Sequence, residues 1–168
     1  MTAEEVYTNS FDATYVTWTA HGNTPYLQNS DTDYIYQVSA RLASYKDGCW
    51  SFPASAGSGT INSVKLEFEV KRSNVAGDAS IGVSVWNGAS WVEIGTLDIT
   101  STDYVWKEID VSSTLNTWDK INGAKVYVTL GRYGTTSDTL YIRRLTRKVD
   151  YTLVAAIASK RLLVGVGI

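Results

Sequence analysis

Hydrophobic and polar residues alternate most clearly between Ile61 and Lys71. There Val64, Leu66, Phe68 and Val70 are interleaved with Lys65, Glu67, Glu69 and Lys71. A period of two sends one set to a core and the other to water, the pattern of a half-buried β-strand. The same alternation sets Ile81, Val83 and Val85 against Gly82, Ser84 and Trp86. Asn87-Gly88-Ala89-Ser90 then predicts a tight turn, because Asn-Gly readily supplies the positive φ that hairpins need. The return strand runs from Trp91 to about Leu97, and further strands are expected at Tyr104–Val111, Ala124–Leu130 and Thr139–Leu145. Shorter ones are expected at Ala13–Ala20, Asp33–Val38 and Gly48–Pro53, with segments rich in Gly, Asn, Asp and Ser between them. No segment sustains a 3.6-residue period, and Ser112–Asp119 supports one helical turn at most. Short strands at roughly ten-residue spacing point to an antiparallel sandwich or barrel.

After this regular part the chain changes character. Residues 1–138 hold 9 basic and 16 acidic side chains, a net of −7, and residues 139–168 hold 6 and 1, a net of +5. The last stretch is also the least polar: two aliphatic pieces, Leu153–Ile157 and Leu163–Ile168, flank a spacer containing Lys160 and Arg161. It is too short and too interrupted to span a bilayer. The expected organisation is an N-terminal arm over 1–12, a sandwich over 13–152 and an apolar tail over 153–168. The tail, extended, reaches beyond one small domain and could add a strand to a neighbour's sheet edge; folded back, it could instead cover its own sandwich. Leu153, Val154, Ile157, Leu163, Val164, Val166 and Ile168, with Arg143 and Arg147 of the basic cluster, are therefore the candidate assembly residues.

Composition removes several functions. A net charge of −2 argues against a nucleic-acid binder driven by overall charge. The single Cys49 excludes an intrachain disulfide framework, and the single His21 excludes a His-rich zinc centre. No run of 18 apolar residues exists, so no membrane span is expected. The N-terminal MTAEEVYTNS has neither a basic start nor an apolar run, so it is not a classical signal peptide.

Three stretches carry a family resemblance: TINSVKLEFEV, VSVWNGASWVEIGTLDITSTDYVWKEIDVSS and NGAKVYVTL with SDTLYIRRLTRKVDY. They resemble the jelly-roll β-sandwich modules grouped with carbohydrate-binding modules. The GNTPYL and DTDYIY segments look like those of similar stand-alone domains in viral structural proteins and prokaryotic surface appendages. The resemblance implies an all-β, antiparallel jelly-roll β-sandwich with a C-terminal apolar extension, and exposed Trp or Tyr that stack on sugars. It also implies a structural calcium held partly by an Asp in the last strand. That position looks like Arg143 here, which counts against the ion.

The candidate chemistry is sparse. Glu67 and Glu69 share one strand face, roughly 6.5–7 Å apart, a spacing that suits a glycosidase pair. Lys65 and Lys71 share that face, so a solvated strand surface is the expected reading. Asn29, Asp31 and Asp33 place oxygen ligands at alternate positions and are weak calcium candidates, since Asx-rich turns also bond their own backbone. His21 is expected on a surface loop and Cys49 as a small buried hydrophobe. Trp86 is out of phase with its strand's apolar set and should face outward with Trp91 across the turn, to meet a ligand or a neighbour. Trp106 and Trp118 are expected beneath a loop. Strict alternation puts Arg143 and Arg147 on one face and Arg144 and Lys148 on the other.

These readings favour a non-enzymatic structural subunit of a virion (capsid decoration, tail or fibre) or extracellular filament. Its partners would be copies of itself or other proteins of the same particle, its setting a virion or cell exterior, and no cofactor is required. The alternative is a carbohydrate-binding or adhesin module with a glycan as partner.

Overall fold

The computed structural model describes residues 2–11, 19–21, 34–39, 47–74, 78–133 and 138–154. Among the described residues, eleven strands and one short helix follow in the order β1 (Thr2–Tyr7), β2 (Ser10–Phe11), β3 (Thr19–His21), β4 (Tyr34–Ser39), β5 (Asp47–Ser51), β6 (Thr60–Arg72), β7 (Asp78–Trp86), β8 (Trp91–Asp98), β9 (Val105–Asp110), α1 (Trp118–Gly123), β10 (Lys125–Tyr133) and β11 (Asp138–Thr152).

The strands form two antiparallel sheets. One runs β3-β4-β11-β6-β9, and the other β2-β5-β10-β7-β8. From β4 to β11 every connection changes sheet except the β7–β8 hairpin. The resulting four-strand cores, β4-β11-β6-β9 and β5-β10-β7-β8, have the strand order of a jelly roll. The fold expected from the sequence is therefore the fold observed.

The period-two pattern decides what each sheet buries. Val64, Leu66, Phe68 and Val70 of β6 face Ile81, Val83 and Val85 of β7 and Val126 and Val128 of β10 in one core. Each large apolar side chain so enclosed contributes about 1.5–3 kcal/mol relative to exposure. Trp50 of β5 is fully buried there, and its ring lies over Gly48, where a Cβ would come within 2.2 Å of it. The hairpin turn is as expected: Gly88 has φ 95°, and the Asn87 carboxamide oxygen accepts from the Ala89 and Ser90 amides, both at 3.0 Å.

Three expectations need correction. The segment expected as an N-terminal arm is paired: β1 lies antiparallel along β11, from Thr2 opposite Tyr151 to Tyr7 opposite Thr146. The last strand is much longer than the sequence pattern indicated, because its apolar rhythm is broken at a bulge. Ile142 pairs with Val70 and Arg144 with Glu69, leaving Arg143 as the extra residue. The extra residue reverses the parity downstream, so that Leu145, Arg147 and Val149 point inward. Arg147 is thus fully buried rather than an exposed assembly contact, and Arg143 joins Arg144 around Glu69.

Inside the core Arg147 holds one end of the sandwich closed. Its guanidinium donates to the carbonyls of Ile121 at 2.6 Å and Pro53 at 3.0 Å and lies 5.2 Å from the Phe52 ring centre. Burial lowers its pKa to about 10, with nearby Glu4 acting in the opposite direction. Glu4 in turn accepts from the Ser55 hydroxyl at 2.8 Å and the Gly57 amide at 3.1 Å. Trp118 completes this cover, as expected for a residue beneath a loop: its indole N–H donates to the Gly59 carbonyl at 2.8 Å, and its ring meets Tyr151 edge-on.

Candidate functional site

The outer face of the β2-β5-β10-β7-β8 sheet carries the aromatic residues singled out by the sequence. In β7, Ile81, Val83 and Val85 point inward, so Trp86 points outward. Trp86 pairs directly with Trp91 across the hairpin, and the rings meet edge to face, with centroids 5.8 Å apart at 61°. Tyr127 of β10 joins them: its ring lies 5.6 Å from that of Trp91 at 60°. Trp91 therefore leans across β7 between two other aromatics and remains 40% exposed. Such edge and tilted pairs are each worth about 0.5–1.5 kcal/mol beyond burial, which holds Trp91 in place while part of its ring faces water.

Register supplies the polar neighbours. The row Glu93–Ser84–Tyr127–Cys49 crosses β8, β7, β10 and β5 immediately beside the row Trp91–Trp86–Lys125–Ser51. In the following row Gly82, between Thr96 and Thr129, contributes no side chain. The surface is thus an aromatic cluster bordered by a carboxylate, hydroxyls and an ammonium, with bare backbone on one side. That combination suits a ligand with an apolar ring face and equatorial hydroxyls. Cys49 is buried in this sheet, as its composition class predicts.

The other candidates fall elsewhere. Glu67 and Glu69 do share one face, on the opposite sheet, but both are ion-paired. Glu69 is buried between Arg143 and Arg144, accepting from Arg143 Nε at 2.8 Å and meeting Arg144 at 3.1 Å. Glu67 faces Lys148 at 3.5 Å. The expectation of a simple solvated face is corrected: this is an ion-pair network, in which both Glu67 and Glu69 are paired. Trp106 is also corrected, since it is 47% exposed opposite Glu69 on that same face and not beneath a loop. Its position in VWKEID, out of phase with Val105 and Ile109, was the available signal.

Leu153 and Val154 are 58% and 73% exposed just past the end of β11. Ile157, Leu163, Val164, Val166 and Ile168 lie outside the described residues, as do the calcium candidates Asn29, Asp31 and Asp33. His21 is the last residue of β3, opposite Tyr34. Among the described residues no helix is long and apolar enough to cross a membrane.

No family model and no curated protein sequence matches the chain. Solved structures do resemble it. PfGH50B superposes with a TM-score of 0.54 at 11% identity, over 92% of this chain and 25% of that one. The chain thus spans a quarter of that protein's length. The C-terminal CBM6 of LamC from Zobellia galactanivorans gives 0.48 at 10% identity, over 89% of this chain and all of that one (100%). CBM29_1, a family 29 carbohydrate-binding module from Piromyces equi, gives 0.47 at 15%, over 89% and 91%. At 11% identity the match to PfGH50B is a likeness of fold.

Proposed function

We propose that the chain is a non-enzymatic carbohydrate-binding module that takes a saccharide on the outer face around Trp91. The observation that carries this reading is Trp91 itself, held between Trp86 and Tyr127 on a sheet face and still 40% exposed. A pyranose presents an apolar C–H face to such a ring, while its hydroxyls can reach Glu93, Ser84 and Thr129 in the neighbouring rows. A few polar groups placed around an apolar platform are what orientation and specificity need.

The test is affinity electrophoresis of the purified chain through gels containing neutral plant and algal polysaccharides, wild type against Trp91→Ala. Retention by at least one polysaccharide should fall by roughly thirtyfold in affinity, about 2 kcal/mol for a central aromatic contact. The melting temperature should fall by several degrees at most, from the loss of its two ring contacts, because Trp91 lies outside the core. Equal retention of the two proteins, or retention by no polysaccharide, rejects the reading.

A second reading, self-association through the C-terminal segment into a virion or filament, retains one observation: Leu153 and Val154 are exposed apolar residues leading into that segment. The basic cluster no longer favours it, since Arg147 is buried and Arg143 is paired with Glu69.

A further inference from the structure

The outer face of the other sheet carries an arrangement that the proposed sugar platform does not use. Along β6, Lys65, Glu67, Glu69 and Lys71 all point outward. Towards the Lys65 end the charges balance in pairs: Lys65 meets Glu108 at 2.7 Å and Lys148 meets Glu67 at 3.5 Å. Towards the Lys71 end Arg143 and Arg144 both bind the carboxylate of Glu69. Among the described residues no carboxylate pairs with Lys71. Its ammonium instead sits over two aromatic rings, 4.6 Å from the Tyr104 centroid and 5.0 Å from that of Tyr141. The Arg143 guanidinium stacks on Tyr104 as well, at 4.3 Å. Two rings therefore hold the Lys71 ammonium in place without neutralising it.

Trp106 stands beside this charge. It is opposite Glu69 on β9 and 47% exposed, more than Trp91. Lys71 is two residues along β6 from Glu69, so Trp106 and Lys71 are diagonal neighbours on one face, about 7–8 Å apart at the backbone. An exposed ring with an uncompensated ammonium at that offset fits a sugar ring that bears a carboxylate.

We infer that the Trp106–Lys71 face is a second binding site, specific for uronate-bearing saccharides. The ring stacks on Trp106, and the carboxylate meets the Lys71 ammonium. The two sheets of a sandwich lie about 10 Å apart with the core between them, so this site works independently of Trp91. The attraction is partly exposed and weakens with salt, since the screening length is about 10 Å at 0.1 M.

The probe is polygalacturonate, with its methyl-esterified form as the same backbone without charge. Retention of the wild-type chain, Trp106→Ala, Lys71→Gln and Trp91→Ala is compared by affinity electrophoresis, with a melting curve for each. Trp106→Ala and Lys71→Gln should each weaken retention by polygalacturonate at least tenfold, while Trp91→Ala leaves it unchanged. Trp106→Phe should keep most of it, because a flat ring remains. The methyl-esterified polymer should not be retained through this face. No retention by polygalacturonate, equal retention of the esterified polymer, or retention lost only with Trp91→Ala overturns the inference. Because Trp91→Ala reports on the opposite sheet, failure of this site and failure of the neutral-sugar platform give different patterns.

Discussion

The Arg147 guanidinium donates to the Ile121 carbonyl at 2.6 Å, from a fully buried position on β11 to the helix that closes the sandwich. A cation in this place is held by carbonyl dipoles, by Glu4 at the rim and by the Phe52 ring. Arg147→Ala removes the donor, opens a cavity and leaves the Ile121 and Pro53 carbonyls without it. A loss of about 3–5 kcal/mol is expected, comparable to breaking a buried charged contact. Arg147→Met, which refills the volume with no charge to desolvate, should lose much less. Urea unfolding of both variants measures the difference, and equal losses would show that hydrogen bonding rather than volume governs this position.

Glu69 is the one carboxylate between Arg143 and Arg144. Glu69→Gln leaves two like charges adjacent on β11 with no anion between them. The arginines keep partial contact with water, so the expected cost lies between the ~1 kcal/mol of an exposed pair and the ~3–5 kcal/mol of a buried one. Added salt should recover part of it. A variant as stable as the wild type at low salt would mean that water already screens the network.

Tyr7 gives a stability term at alkaline pH. Burial raises its pKa above 10.0, and Glu5 adds to the rise. A group whose pKa is raised on folding favours the folded state while protonated. This contribution is complete below the unfolded value of 10.0 and is lost as pH rises through the folded value. Denaturant midpoints measured across that range should therefore fall less steeply for Tyr7→Phe than for the wild type. Parallel slopes would remove Tyr7 from the account of β1 docking.

The final strand ends at Thr152, and among the described residues the core lies before it. A chain stopped after Val154 should keep the melting temperature of the full chain to within a few degrees. If the C-terminal segment drives association, light scattering should show a monomer for the truncated chain and larger species for the full one. The same mass for both chains rejects the self-association reading, and unfolding of the truncated chain would place the segment in the domain's own core.

Local periodicity determined much of this protein. The alternation in Ile61–Lys71 and Ile81–Val85 is a property of extended backbone, so those core faces were legible residue by residue, as were the Asn87-Gly88 turn and the outward direction of Trp86. Strands of this composition, spaced by turns, also sufficed for an antiparallel sandwich or barrel, and the jelly roll came from the family resemblance. Three matters were decided only by tertiary structure. Strand order brought Tyr127 to Trp91, because β10 lies beside β7 while far from β8 in sequence. Pairing with β11 turned the N-terminal segment into β1, although its own residues carry no strong strand pattern. The bulge at Arg143 reversed the parity of everything after it, sending Arg147 into the core and gathering Arg143 and Arg144 on Glu69. Alternation is local and assumes unbroken pairing. A bulge is set by the hydrogen bonds of the neighbouring strand, and one extra residue there exchanges the inner and outer faces of the rest.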